Sequence, residues 1–86
     1  MKKLILSIFD TKAEVFHAPY TIPTVGVAYR DLADNHKRGG QDNALAAHPE
    51  DYELYQVGVW DDEFGRVDTD GYPVRLLNVG DLVLQG

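Results

Sequence analysis

The chain has no cysteine, a single tryptophan, and serine only at Ser7. Without thiols it forms no disulfide and offers no thiolate to zinc or an iron–sulfur cluster, a composition suited to a reducing cytoplasm. Basic residues are scarce as well: eight Lys and Arg face fourteen Asp and Glu, for a formal net charge of −6. Neutralising phosphates supplies most of a nucleic-acid binder's affinity, so any DNA contact must come from a local patch working against the overall field. Long apolar runs are missing too. Leu4 to Phe9 is interrupted by Ser7 and stopped by Asp10, which reads as a first strand behind Lys2 and Lys3 rather than a leader or a membrane span. The glycines form neither GxGxxG nor a phosphate loop, and Ser7 lacks nucleophile-elbow glycines. His17, His36 and His48 show no HxH or HxxxH spacing. No enzyme, cofactor or metal site is expected.

What is present is 86 residues, 44% of them hydrophobic, enough for one domain over residues 1–86 with a modest core. So small a core makes pairing of copies favourable, and a homo-oligomer, a dimer first, is expected. Leu4–Phe9 is β-like on both faces. Asp10-Thr11-Lys12 is turn chemistry, and Ala13–His17 is a returning strand ended by Pro19 and Pro23. Thr24 is a helix N-cap. Beyond it Val25, Ala28, Tyr29, Leu32 and Ala33 fall on one helical face, with Arg30, Asp31 and Asp34 off it. The helix should fade near Asn35-His36. Residues 36–47 read as a polar loop around Gly39-Gly40, with Asp42 as a cap for a short turn through Ala47.

Tyr52–Trp60 is a second strong strand, rich in aromatic and β-branched residues. Asp61-Asp62-Glu63-Phe64-Gly65 is a hairpin turn closed by a left-handed glycine, leading into a strand from Arg66 to Asp68. Asp70-Gly71 with Pro73 is another turn. Val74–Leu77 and Asp81–Gln85 supply a last extended segment or a short helix, and no internal repeat is visible. The order strand, strand, helix, strand, strand predicts an α+β fold: a small antiparallel sheet with one amphipathic helix packed on one face.

Three constellations could carry chemistry. Asp61, Asp62 and Glu63 offer oxygen ligands to magnesium, but neighbours on a strand point to opposite faces and no second carboxylate cluster converges on them. A solvated turn is the better reading. His48 could act as a base oriented by Asp51. Pro49 instead makes HPEDY a corner leading into the strand, with Glu50 and Asp51 suiting the first turn of a short helix. The aromatic residues are the third. On strict alternation Tyr52, Leu54 and Trp60 share one face of their strand, and Tyr55, Val57 and Val59 the other. One face must cover the helix, leaving the other as a partner interface, a base-stacking platform or a half-exposed sheet.

An ordered set of pieces runs through the chain: FDTKAE from Phe9 to Glu14, the Thr24-led helix containing Arg30, HPEDYELYQVG from His48 to Gly58, and WDDEFGRV from Trp60 to Val67. Together they resemble the small non-structural protein of gokushoviruses, Microviridae with circular single-stranded DNA genomes. The resemblance covers the chain to about Asp68, and the tail from Tyr72 matches only loosely. It implies a non-enzymatic phage accessory protein, labelled DNA-binding, that acts in the host bacterial cytoplasm where viral single-stranded DNA is synthesised or packaged. The implied partners are single-stranded DNA or a replication or packaging protein, with no membrane, and no catalytic residues transfer. From this chain's own chemistry, Lys12, Arg30, Lys37 and Arg38 are the expected phosphate contacts, with Tyr55 or Trp60 as stackers. The alternative is a protein–protein interaction or assembly module without nucleic-acid binding, which the acidity favours over a direct DNA grip.

Overall fold

A computed structural model describes residues 1–40 and 42–84. The elements are β1 (Lys2–Asp10), β2 (Val15–Phe16), β3 (Tyr20–Ile22), α1 (Val25–Arg38), α2 (Ala44–Ala47), β4 (Tyr52–Asp61), β5 (Arg66–Asp68), β6 (Val74–Asn78) and α3 (Val79–Val83), with a 3-10 turn at Pro49–Asp51. The fold is α+β, with one antiparallel sheet and one helix longer than the others.

The sheet is built on its two long strands. β1 and β4 pair antiparallel from Lys2↔Asp61 to Asp10↔Tyr52, and each carries two short strands end to end on its outer edge. β2 and β3 lie against β1, and β5 and β6 lie against β4. The prolines expected to end the returning strand, Pro19 and Pro23, instead bracket β3, a three-residue edge strand. Proline is tolerated beside such a strand because no ladder bond is lost there.

The two halves follow one plan. Asp10 ends β1 and Asp61 ends β4, and each Oδ1 accepts backbone N–H groups two and three residues on, Lys12 and Ala13 in one turn and Glu63 and Phe64 in the other. Each turn closes with an N–H donated to the aspartate carbonyl, from Glu14 and from Gly65, both at 2.8 Å. Both closing residues are left-handed, φ 57 at Glu14 and φ 65 at Gly65. Thereafter Phe9↔Phe16 matches Trp60↔Val67, and Leu4↔Ile22 matches Leu54↔Leu77. A side-chain-capped helix follows each half, at Thr24 and at Asn78. The chain thus uses twice a unit of one long strand, two short edge strands and a helix. No repeat is visible in the sequence because the halves share geometry and apolar character rather than residue identity.

Val57 breaks strict alternation. Ile5 pairs with Gly58 and Leu6 with Gln56, so Val57 is the extra residue of a β-bulge. Downstream side chains change face, and Trp60, across from Lys3, joins Tyr55, across from Ser7. The expected grouping of Trp60 with Tyr52 and Leu54 is corrected by that one residue.

Leu6, Ile8, Ile22, Tyr52 and Leu54 face the helices and form one core with Ala28, Leu32 and Val79. Of the stripe expected on α1, Ala28, Tyr29 and Leu32 pack into the core and Val27 joins them, and the helix continues to Arg38, past the expected fade. The expected loop contains α2, whose cap is Asn43, not Asp42: Asn43 Oδ1 accepts from Ala46 N at 3.1 Å. Its amide also donates to Asn35 and to the Gly39 carbonyl, tying α2 to the end of α1. The tail forms both an extended segment and a helix, β6 then α3; Gln85 of that expectation lies outside the described residues.

HPEDY is a corner, as its proline suggests. Pro49 is buried at the start of the 3-10 turn. The Asp51 carbonyl accepts from both Thr11 N at 2.9 Å and Thr11 Oγ1 at 2.8 Å. Asn78 donates to the Glu50 carbonyl at 2.9 Å. The separate segments FDTK and HPEDY therefore meet in space, and a first-strand turn is pinned to the corner that launches the central strand.

Candidate functional site on the open sheet face

The sheet face turned away from the helix core carries Lys3, Ile5, Ser7 and Phe9 from β1 and Glu53, Tyr55 and Trp60 from β4, with Phe16, Val67 and Arg75 opposite them on the edges. Its end nearest the β1–β2 turn is aromatic. The Phe9 and Phe16 ring centroids lie 4.6 Å apart, and Tyr55 meets both edge-on at 6.0 and 5.1 Å. Edge-to-face packing uses the positive ring edge against the negative ring face and holds the cluster without a covering layer. Phe16 remains 42% exposed and Val67 57%, so the face exposes apolar surface.

Charge on this face is nearly balanced. Arg75 Nε binds Glu53 Oε2 at 2.7 Å, and this hydrogen bond holds the guanidinium pKa above its ordinary value. Lys3 lies across from Trp60. Ser7 is buried, and its hydroxyl donates to the His17 carbonyl at 2.7 Å. That serine is a structural tie.

The expected contact residues divide between the layers. Tyr55 and Trp60 sit on this face. Arg30, Lys37 and Arg38 are exposed on α1, in the helix layer packed on the other side, and Lys12 is exposed in the β1–β2 turn. The structure therefore does not bring the four cations together with the two rings. Sequence reasoning missed Phe9, Phe16, Lys3 and Arg75 as companions of Tyr55. The alternation of Lys3, Ile5, Ser7 and Phe9 along β1 was the signal for two of them, while Phe16 and Arg75 are placed only by pairing.

Two of the three acidic residues of the β4–β5 turn have other occupations. Asp61 caps its own turn, and Asp62 Oδ1 accepts from the N-terminal ammonium of Met1 at 2.6 Å, a bond that lowers the Asp62 pKa. Beside them an open groove of about 550 Å³ is lined by Lys2, Val59, Asp61, Arg66, Asp68 and Asp70, a mixed-charge surface. At the corner, ligand-capable atoms of His48, Glu50 and Asp51 lie within 4.8 Å of one another on a solvent-facing rim. Exposed carboxylates group this way commonly, and here the backbone of the same residues anchors the corner.

A family model described as Phage ORF5 protein matches residues 3–82. No curated protein and no solved structure matches.

Proposed function

Because this chain belongs to the Phage ORF5 protein family, we propose that it is a non-enzymatic phage accessory protein that contacts single-stranded DNA with its open sheet face, during viral DNA synthesis or packaging in the host bacterial cytoplasm. The resemblance to the gokushovirus non-structural protein supports placing it among the Microviridae. The observation that carries the reading is the Phe9–Phe16–Tyr55 cluster, with Trp60, Lys3 and Arg75 on the same face. Unpaired bases stack on aromatic rings whatever their sequence, while cations beside the rings hold the phosphates. A duplex hides its base faces and gains little from such a surface.

The test is fluorescence anisotropy of a labelled oligonucleotide, titrated at several salt concentrations. Single strands should bind more tightly than duplex of equal length, with affinity falling as salt rises. Tyr55→Ala and Phe16→Ala should each cost about 1–3 kcal/mol of binding. Lys37→Gln and Arg38→Gln, in the other layer, should change it little. Absence of binding to single strands at low salt refutes the reading.

A second reading, a protein interaction or assembly module without nucleic acid, is favoured by the net charge of −6 and by the pairing of Glu53 with Arg75. The same face would then join copies of the chain or a replication or packaging protein. Light scattering that reports a stable dimer, dissociated by Phe16→Asp, supports it.

A further inference from the structure

The repeated unit supplies an internal comparison for its own turns. Both turns have the same aspartate cap, the same closing hydrogen bond and the same left-handed closing residue. Their middle positions differ completely: Thr11-Lys12-Ala13 in the first, Asp62-Glu63-Phe64 in the second. Since the first turn forms this backbone with an alanine at the equivalent place, the second does not need its phenylalanine to fold. Yet Phe64 is 66% exposed at the hairpin tip, with the Arg66 guanidinium 5.8 Å from its ring centroid as backing. Beside it, Glu63 makes no ion pair among the described residues, while Asp62 is held by the N-terminal ammonium.

A ring on a preset backbone loses little entropy when it enters a pocket, and a buried aromatic anchor often dominates an interface. We propose that the β4–β5 turn is a docking tip for a partner protein: the Phe64 ring fills an apolar pocket, and Glu63 meets a Lys or Arg at its rim. The carboxylates of this turn disfavour phosphate as the occupant, so the proposal stands apart from the DNA reading of the open face.

The test uses the full chain with a benzophenone-bearing phenylalanine placed at position 64 or, as control, at position 13, produced in cells infected with the parent phage. Irradiation at position 64, and not at 13, should join the chain to a protein whose cross-linked peptide, identified by mass spectrometry, combines apolar residues with Lys or Arg. Binding of that purified protein should weaken roughly tenfold or more in Phe64→Ala and to a smaller extent in Glu63→Gln, with urea midpoints unchanged in both. Equal cross-linking from the two positions, cross-linking only to nucleic acid or to a second copy, or none at all overturns the proposal. So does unchanged affinity of Phe64→Ala, or a fall in its urea midpoint, which would assign the ring to the turn itself.

Discussion

The matched turns allow a stability effect to be isolated from packing. Glu14 holds φ 57 where its counterpart Gly65 holds φ 65. A side chain in the left-handed region brings Cβ toward the following carbonyl oxygen, at about 1–2 kcal/mol. Glycine avoids that strain but brings extra freedom to the unfolded chain, worth roughly 0.5–1 kcal/mol. Glu14→Gly should therefore gain about 0.5–1 kcal/mol, and Gly65→Ala should lose about 1 kcal/mol. No heavy atom lies within 4 Å of a Cβ built on Gly65, so its loss reports backbone conformation alone. In a domain of this size the pair should separate in Tm by roughly 6–16 °C, the two changes taken together. Urea titration supplies the free energies, provided the slopes stay equal. A Glu14→Gly midpoint below that of the parent, or a Gly65→Ala midpoint equal to it, refutes the equivalence of the two turns.

Leu54 and Tyr55 are adjacent and serve opposite faces: Leu54→Ala, from full burial, should cost about 3–5 kcal/mol by calorimetry or denaturant, while Tyr55→Ala should cost far less stability and act on binding. Gly80→Ala places a Cβ 2.9 Å from Glu50 Cα, so the corner or α3 must shift, and about 1–3 kcal/mol should be lost in thermal unfolding. Tyr52 is buried beside Asp10 and Asp51, and burial first, then these carboxylates, raises its pKa above the ordinary 10.0. Stability is intact below that value and falls as pH rises through the raised folded-state pKa, because the unfolded chain ionises first. Alkaline unfolding followed by circular dichroism should be less steep in Tyr52→Phe, and an unchanged profile would remove Tyr52 as a source.

Legibility in the sequence tracked how local each determinant is. The helical stripe Ala28, Tyr29 and Leu32, the Thr24 cap, the Asp61–Gly65 turn and the Pro49 corner are written within a few residues of each other, and the structure places them as read. Asp42 and Asn43 were indistinguishable as caps by residue type, and the Asn35 and Gly39 partners of Asn43 decided between them. β3 was unreadable because three residues between prolines become a strand only when β1 offers an edge to pair with. The candidate face was half legible. Tyr55 and Trp60 stand out within one aromatic-rich strand, whereas Phe16 joins Phe9 and Tyr55 only through the pairing of β2 with β1.

The sequence by itself determined the class of the fold and the residues that turn, cap and begin its elements, because those choices rest on propensity and short-range hydrogen bonds. Tertiary structure alone decided which residues share a surface. One bulge at Val57 moves Trp60 to the face of Tyr55, and the packing of α1 against the opposite face separates Arg30, Lys37 and Arg38 from both rings. Register and layer order arise from contacts between residues tens of positions apart, and no local pattern encodes them.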